Sequence, residues 1–525
     1  MRFVLLTLIL MPLITLNGCS VPSQTGTLWF GVHILSPEDA TFRAARELGA
    51  TWVIYPVLWR DIEPYPGHYA WPGLDLTVQA AEYYGLRLAV RVDHPPSWAS
   101  GGEGNTPPRD PELYAEFVGK LAQRYAGRIK AYIIWNEPNL AQEWGGKAPD
   151  PESYVALLRA AYSRIKEADP QALVVSAGLA STNERSHQAM DDRLYLRRMY
   201  EAGAREFFDA LGAHPYGFAY PPDDPRGSHQ GLNMARLEEL REIMVAFGDA
   251  DKKVWVTEFG WTTEGYGEWT WAEVTEEVQA RYLTQAVAMA AQKWPWVELM
   301  AVWNLMAGEE QPPAYRGFNL LRPDGSPKPA YKALQSLTRH ALYLRREPPP
   351  PYPDTITILA PDQTVHLGDS EYPYPWEPLH LGQNPSPIWE GAFYVQRPCK
   401  GRWLLSLELF QSNEPGNFIA INGHRVTKPY LPVESWEGKW VVVDIEVPAE
   451  ILREGRNRIT ISITKRPPPW QHGDLVWDDI QFRNVMLKRI RSARLWEVFS
   501  LLRPRGQFQL KSFQRLRERL SCELG

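Results

Sequence analysis

Residues 129–140 read IKAYIIWNEPNL. From Ile129 to Trp135 the run is almost continuously apolar, as in a parallel strand buried on both faces. It then breaks at once into Asn136-Glu137-Pro138-Asn139. A carboxylate where a core strand ends is paired, solvated or reactive, and the rest of the chain has to decide which. Seven further runs of the same kind lie on either side: 29–34, 51–59, 86–92, 172–178, 208–214, 253–259 and 298–304. Helical patterns separate them. Asp110-Pro111 and Asp150-Pro151 each read as a helix start, because Asp accepts from free N–H groups and Pro at the next position forfeits no helical bond. The spacing of Tyr154, Leu157, Leu158, Ala161 and Ile165, and of Leu237, Leu240, Ile243, Met244 and Phe247, predicts one apolar stripe on each helix. Eight strand–helix units over residues 27–343 predict a (β/α)8 TIM barrel. A doubly wound open sheet is the rival, but no Gly-rich phosphate fingerprint follows the first run.

The chain has 525 residues, enough for a large barrel and a second domain. REPPPPYPDT at 346–355 marks a stiff linker, placed at 344–354, and beyond it the hydrophobic period becomes two. RWLLSLELF, NFIAINGHRV, KWVVVDIEV and NRITISITK read as half-buried strands, and Asn422-Gly423 is a hairpin signal. Residues 355–487 are therefore expected to form a β-sandwich. The tail 488–525 carries ten Lys/Arg against three Asp/Glu and reads as a solvated basic helix or a contact for an anionic surface.

A formal net charge of -6 argues against nucleic acid as a partner. The N-terminus, MRFVLLTLILMPLITLNGCS, has a basic start and an apolar stretch too short to span a bilayer. Its Leu16-Asn17-Gly18-Cys19 ending resembles the lipobox of bacterial lipoproteins, which implies a signal over residues 1–19, lipidation of Cys19, and an extracytoplasmic protein held to the membrane by that anchor. An ordinary secretory signal is the alternative. Cys399 and Cys522 have no spacing that suggests a metal site, and nothing in the sequence calls for a cofactor.

In a TIM barrel the residues just past each strand face the active site. Glu137 stands past strand four, and Glu258 stands at the end of strand seven in VTEFGW, so both are expected at the mouth. Two carboxyl groups about 5 to 5.5 Å apart are what retaining glycoside hydrolysis requires. WNEPN followed later by TEFGW resembles clan A glycoside hydrolases, particularly families 39 and 5, over residues 27–343. The resemblance implies that Glu137 is the acid/base and Glu258 the nucleophile. It implies that Asn136 bonds the sugar 2-hydroxyl, that His214 and Tyr216 of the His214-Pro215-Tyr216 pattern line the site with the Tyr on the nucleophile, and that Trp303 forms an aromatic floor. The family's Arg in strand two is missing, its place taken by Ile54, and Arg91 in strand three is the expected replacement. WRDIEPYPGHYAW at 59–71 also matches and is read as architectural.

From the residues themselves, Asp93 and His94 are candidate subsite groups, because loops at this face carry binding groups. Trp98, Trp144, Trp261, Trp269 and Trp271 fall in those loops, and Trp98 and Trp261 are taken as sugar-stacking faces. The sandwich resembles galactose-binding-like and carbohydrate-binding modules, with a spacer or lid as the alternative. The expectation is a retaining glycosidase acting on an oligo- or polysaccharide. A non-catalytic carbohydrate-binding lipoprotein and a transglycosylase using the same pair stand as alternatives.

Overall fold

The computed structural model describes residues 27–346 apart from 266 and 310, and then 352–368, 387–398, 402–410, 416–427, 431, 440–464 and 480–490. The signal with Cys19, Cys399, Cys522 and most of the linker and basic tail lie outside the described residues, as does the side chain of Trp269.

Eight parallel strands close into a barrel in sequential order: β1 Trp29–His33, β2 Trp52–Leu58, β3 Arg87–Asp93, β4 Ile129–Ile134, β5 Leu173–Ser176, β6 Ala210–Ala213, β7 Lys253–Phe259 and β8 Val297–Val302. β1 also pairs with β8, so no edge is left open. The helices between strands start as their caps dictate. The Asp110 side chain accepts from Glu112 N ahead of the helix Pro111–Arg124, and Asp150 accepts from Ser153 N ahead of Pro151–Ala168. No helix among the described residues is long and apolar enough to cross a membrane.

Strand alternation gives the barrel two cores. One face of each strand packs under the helices in a large outer core that includes Val32, Val53, Val90, Ile134 and Val256. The other face fills the interior with Trp29, Trp52, Ile54, Ala89, Ile133, Val175, Trp255 and Leu299. Three indoles close the floor: Trp52 lies edge-on to Trp29 at 6.4 Å and to Trp255 at 4.9 Å between ring centroids. The same inward period continues upward into polar residues. Trp29 and Gly31 lead to His33, and Ala89 leads to Arg91 and Asp93. The interior is therefore apolar at its base and charged at its mouth.

Beyond the barrel, two antiparallel sheets form the sandwich, in the orders β10-β15-β12-β13 and β14-β11-β16-β9. The strands are β9 Thr355–Leu367, β10 Ile388–Val395, β11 Arg402–Phe410, β12 Phe418–Ile421, β13 His424–Arg425, β14 Val441–Val447, β15 Gly455–Ser462 and β16 Ile480–Ile490. Asn422 and Gly423 both have positive φ at the β12–β13 turn, which is the geometry a two-residue hairpin asks for. β16 runs to Ile490, so the first residues of the expected basic tail are strand. The sheets share their own apolar core. They meet the barrel on its flank, at the helix Pro72–Tyr83: Gln79 Nε2 donates to Thr357 O at 2.8 Å, and Gln396 Nε2 to Tyr83 O at 2.7 Å.

Trp255→Ala would leave a cavity in the floor of the barrel where two other indoles meet. A loss of about 3–5 kcal/mol is expected, read as an earlier barrel transition in denaturant unfolding.

Candidate active site

The two glutamates reach the mouth because the strands that carry them depart from simple alternation. On β4, Ile133 faces inward and Ile134 outward. Trp135 then takes a φ of 75°, returning to the outer core, and Glu137 takes a φ of 39°. Positive φ is uncommon for such residues and requires support. Asn139 provides it: fully buried, it donates to Ala180 O and Met190 O and accepts from Ala180 N. Glu137 N donates to Gly178 O at 3.1 Å. On β7, the register shifts between Val256 and Phe259. With Trp255 inward and Val256 outward, strict alternation would turn Glu258 toward the helices, and the irregularity re-aims it into the barrel.

Glu258 is 5% exposed and held from several sides. Arg91 Nη1 donates to its Oε1 at 2.8 Å, and the Tyr216 hydroxyl donates to its Oε2 at 2.9 Å. His33 Nε2 lies 3.8 Å from Oε1 and His214 Nδ1 3.7 Å from Oε2. Burial pushes the Glu258 carboxyl up, but the pull of His214, His33, Arg91 and the Tyr216 hydroxyl outweighs it and leaves the group below the ordinary glutamate value. Arg91 spans two acids, its Nε donating to Asp93 Oδ2 at 2.9 Å. Burial works against its charge, and the two carboxylates more than restore it. The other Asp93 oxygen lies 2.8 Å from His94 Nδ1.

Glu137 meets His214, whose Nδ1 lies 2.8 Å from Oε1. Burial pulls the His214 pKa down, but Glu258 and Glu137 together raise it above the usual value. His33 goes the other way: burial lowers it to about 3 despite Glu258, so it is neutral and its Nε2–H donates to Thr257 O. His214 needs Gly178 beneath it, because a Cβ there would sit 2.2 Å from the ring. One carboxylate oxygen each from Glu137 and Glu258 and a ring nitrogen of His214 all lie within 4.8 Å of one another. Such a trio has the composition of a metal site, yet the Arg91 guanidinium already supplies the counter-charge on Glu258.

Glu137, Glu258, His214, Tyr216, Arg91, Asp93 and His94 thus converge on one centre. Ile54 is buried in the barrel interior, and the cation it does not provide comes from the next strand. Asn136 Oδ1 is buried with no hydrogen-bond partner. Trp303 lies edge-on to His33 at 4.9 Å, with Tyr315 6.0 Å away. Trp261 does not offer a stacking face. It is 1% exposed, packs edge-on to Tyr282 and donates its indole N–H to Tyr220 O, so here it is a packing residue. Trp144 is likewise buried, against Trp135. Trp98 is half-buried, edge-on to Trp59, with its N–H on Glu63 O. Trp271 keeps an exposed face, stacked on Phe218. The sequence reading passed over His33, Glu143, Asn105 and Tyr315. His33 was legible from the inward period of WFGVHI, whereas Asn105 stands in a loop and Glu143 and Tyr315 on single helical turns too short to show a period.

A closed (β/α)8 barrel thus presents two acids of unequal surroundings at its C-terminal mouth. Residues 110–333 match the family model described as the glycosyl hydrolase catalytic core, a segment that contains Glu137, His214, Tyr216, Glu258 and Trp303. Over that segment the chain is similar to this catalytic core. It is similar in structure to a family 39 glycoside hydrolase from the gut symbiont Bacteroides cellulosilyticus WH2, at 18% identity over 84% of this chain and 82% of that one, with a TM-score of 0.50, a likeness of fold. A glucosidase from Croceicoccus marinus aligns at 14% identity over 89% of this chain and 96% of that one, with a TM-score of 0.47. No curated protein sequence matches the chain.

Arg91→Met would leave Glu258 and Asp93 buried without their shared cation. A destabilisation of about 3–5 kcal/mol is expected in urea unfolding, and a loss under about 1 kcal/mol would show that the cluster does not depend on it.

Proposed function

We propose that the protein is a retaining glycoside hydrolase that cleaves O-glycosidic bonds by double displacement. The observation that carries this reading is the approach of Glu137 and Glu258, with one oxygen of each inside the same 4.8 Å grouping. That spacing fits the roughly 5–5.5 Å of retaining pairs and leaves no room for the water that inverting pairs hold across about 6.5–9.5 Å.

The unequal surroundings support the division of labour. Glu258 is held ionised by Arg91, Tyr216 and His214. It attacks the anomeric carbon as the glycosidic C–O bond breaks, forming a glycosyl ester. Glu137 is more open, its side chain 17% exposed against 7% for Glu258. It gives its proton to the departing oxygen. In the second half it takes a proton from water, the water oxygen attacks the anomeric carbon, and the ester bond breaks to return Glu258 as a carboxylate. The unpaired Oδ1 of Asn136 is an acceptor beside this centre for a sugar hydroxyl. Arg91 on Glu258 supplies the cation that the sequence lacks in strand two.

The expected product keeps the anomeric configuration of the substrate, which NMR of early product reveals. An inverted product would overturn the reading. Glu258→Ala is expected to abolish turnover with the fold intact, and Glu137→Gln to lower kcat by about 10²–10⁴, most for poor leaving groups. Full activity in the Glu258 variant would also sink the proposal.

Tyr216→Phe removes a donor that favours the charged form of Glu258. The folded-state value of Glu258 lies below the ordinary one, so ionisation is present above that value and is lost as pH falls through it. Without Tyr216 the value rises, and the acid limb of kcat/KM is expected to move to higher pH. A limb that stays put or moves down would show that the hydroxyl does not hold Glu258.

A further inference from the structure

Glu143 is a third glutamate at this centre, and double displacement has no use for it. It lies on the short 3₁₀ turn Ala141–Trp144 that follows the Glu137 segment. It is held at both ends. Asn105 Nδ2 donates to its Oε2 at 2.9 Å, and the Trp135 indole N–H donates to its backbone carbonyl at 2.8 Å. Asn105 is 4% exposed and also accepts from His94 N at 2.8 Å, so Glu143 is tied to the loop that carries Asp93 and His94. Trp135 is the residue whose left-handed backbone starts the turn into Glu137. Glu143 is thus set by the two segments that set the acid/base and the base of the Arg91 cluster. Burial pushes its carboxyl up, and Glu137 adds to the rise, while Asn105 and Arg91 pull it down. Tyr315, beside Trp303, senses Glu143 together with Glu137 and Glu258. Glu143 thus lies on the rim of the mouth, bonded through Asn105 to the loop that carries Asp93 and His94.

The charge at this cleft is lopsided. Asp93, Glu143 and Glu258 stand against the single guanidinium of Arg91, with Glu137 holding the proton it gives to the leaving group. His33 is neutral, and His214 contributes at most one positive charge. The chain as a whole is also acidic, with a formal net charge of -6. An acidic sugar beside the scissile bond would meet like charge where screening by water is weak, and the Arg91 guanidinium is already engaged by Glu258 and Asp93. A sugar hydroxyl, in contrast, finds fixed acceptors in the Glu143 carboxylate and Asn136 Oδ1.

We infer that the cleft is built for uncharged sugars at the positions flanking the scissile bond, that it excludes uronosyl residues there, and that Glu143 sets this preference. The inference rests on the glycosidase reading only for where the scissile bond lies. Its test reads binding and not turnover, so the two fail separately.

The experiment is calorimetric titration of the full chain, wild type and Glu143→Gln side by side, with xylo-, cello-, manno- and β-1,3-gluco-oligosaccharides and with uronic-acid-bearing oligosaccharides of equal length. At least one neutral series is expected to bind about tenfold or more tightly than every acidic one. Glu143→Gln keeps the shape of the side chain and removes its charge, and it is expected to narrow the gap about threefold or more. In the wild type alone, raising the salt from about 0.02 M to about 0.5 M is expected to narrow it as well, which tests the electrostatic origin even if the variant folds poorly. Tighter or equal binding of an acidic series, binding of neither class, or a gap unmoved by both the substitution and salt would overturn the inference. Neutral binding with no turnover would count against the hydrolase reading and leave this one standing.

Discussion

The site depends on one buried cation. Arg91 lies inside the mouth of the barrel and reaches Glu258 with Nη1 and Asp93 with Nε, two edges of the same planar group. Burying a guanidinium alone is costly, and so is burying either carboxylate. Together they offset one another, and the result is a glutamate that stays ionised at 5% exposure. A lysine would present a single point of charge and not a fork that holds two acids at fixed angles. Asp93 passes the constraint to His94, and Asn105 passes it on from His94 to Glu143. The acid network at the mouth is thus a chain of bonds that begins at Arg91.

The barrel supplies that cation by periodicity and supplies the acids by breaking it. Arg91 and His33 face inward simply because every second residue of β3 and β1 does. Glu137 and Glu258 face inward because β4 ends in two positive-φ residues and β7 carries a register irregularity. These departures sit at the two glutamates of the mouth, and each is held in place by its surroundings: Asn139 below Glu137, and the Arg91–Tyr216 pair around Glu258. Strained or irregular backbone that tertiary contacts over-determine is characteristic of functional sites.

Much of this was legible beforehand. The eight apolar runs correspond to the eight staves, because parallel strands buried on both faces have no choice but to be apolar throughout. Asp-Pro pairs announced helix starts because capping is local chemistry. Glu137 and Glu258 stood out as charges at the ends of core strands. The tryptophans were less legible. Trp261 and Trp144 lie in mouth loops like Trp271, yet the first two are buried and the third is exposed. An indole packs or presents its face according to which loop folds over it, and loop length does not encode that. Glu143 and Tyr315 were silent for the same reason: each lies on a single helical turn too short to show a period.

By itself the sequence determined the barrel, the sandwich after it, and the two acids at the ends of β4 and β7, since these follow from hydrophobic period, caps and turn chemistry acting within short stretches. Only the tertiary structure decided that Arg91 replaces the cation absent at Ile54, that His33 lies beside Glu258, and that Glu143 joins the cleft. Each of those depends on residues far apart in the chain meeting at distances near 3–4 Å, where burial and charge become strong enough to set which groups ionise.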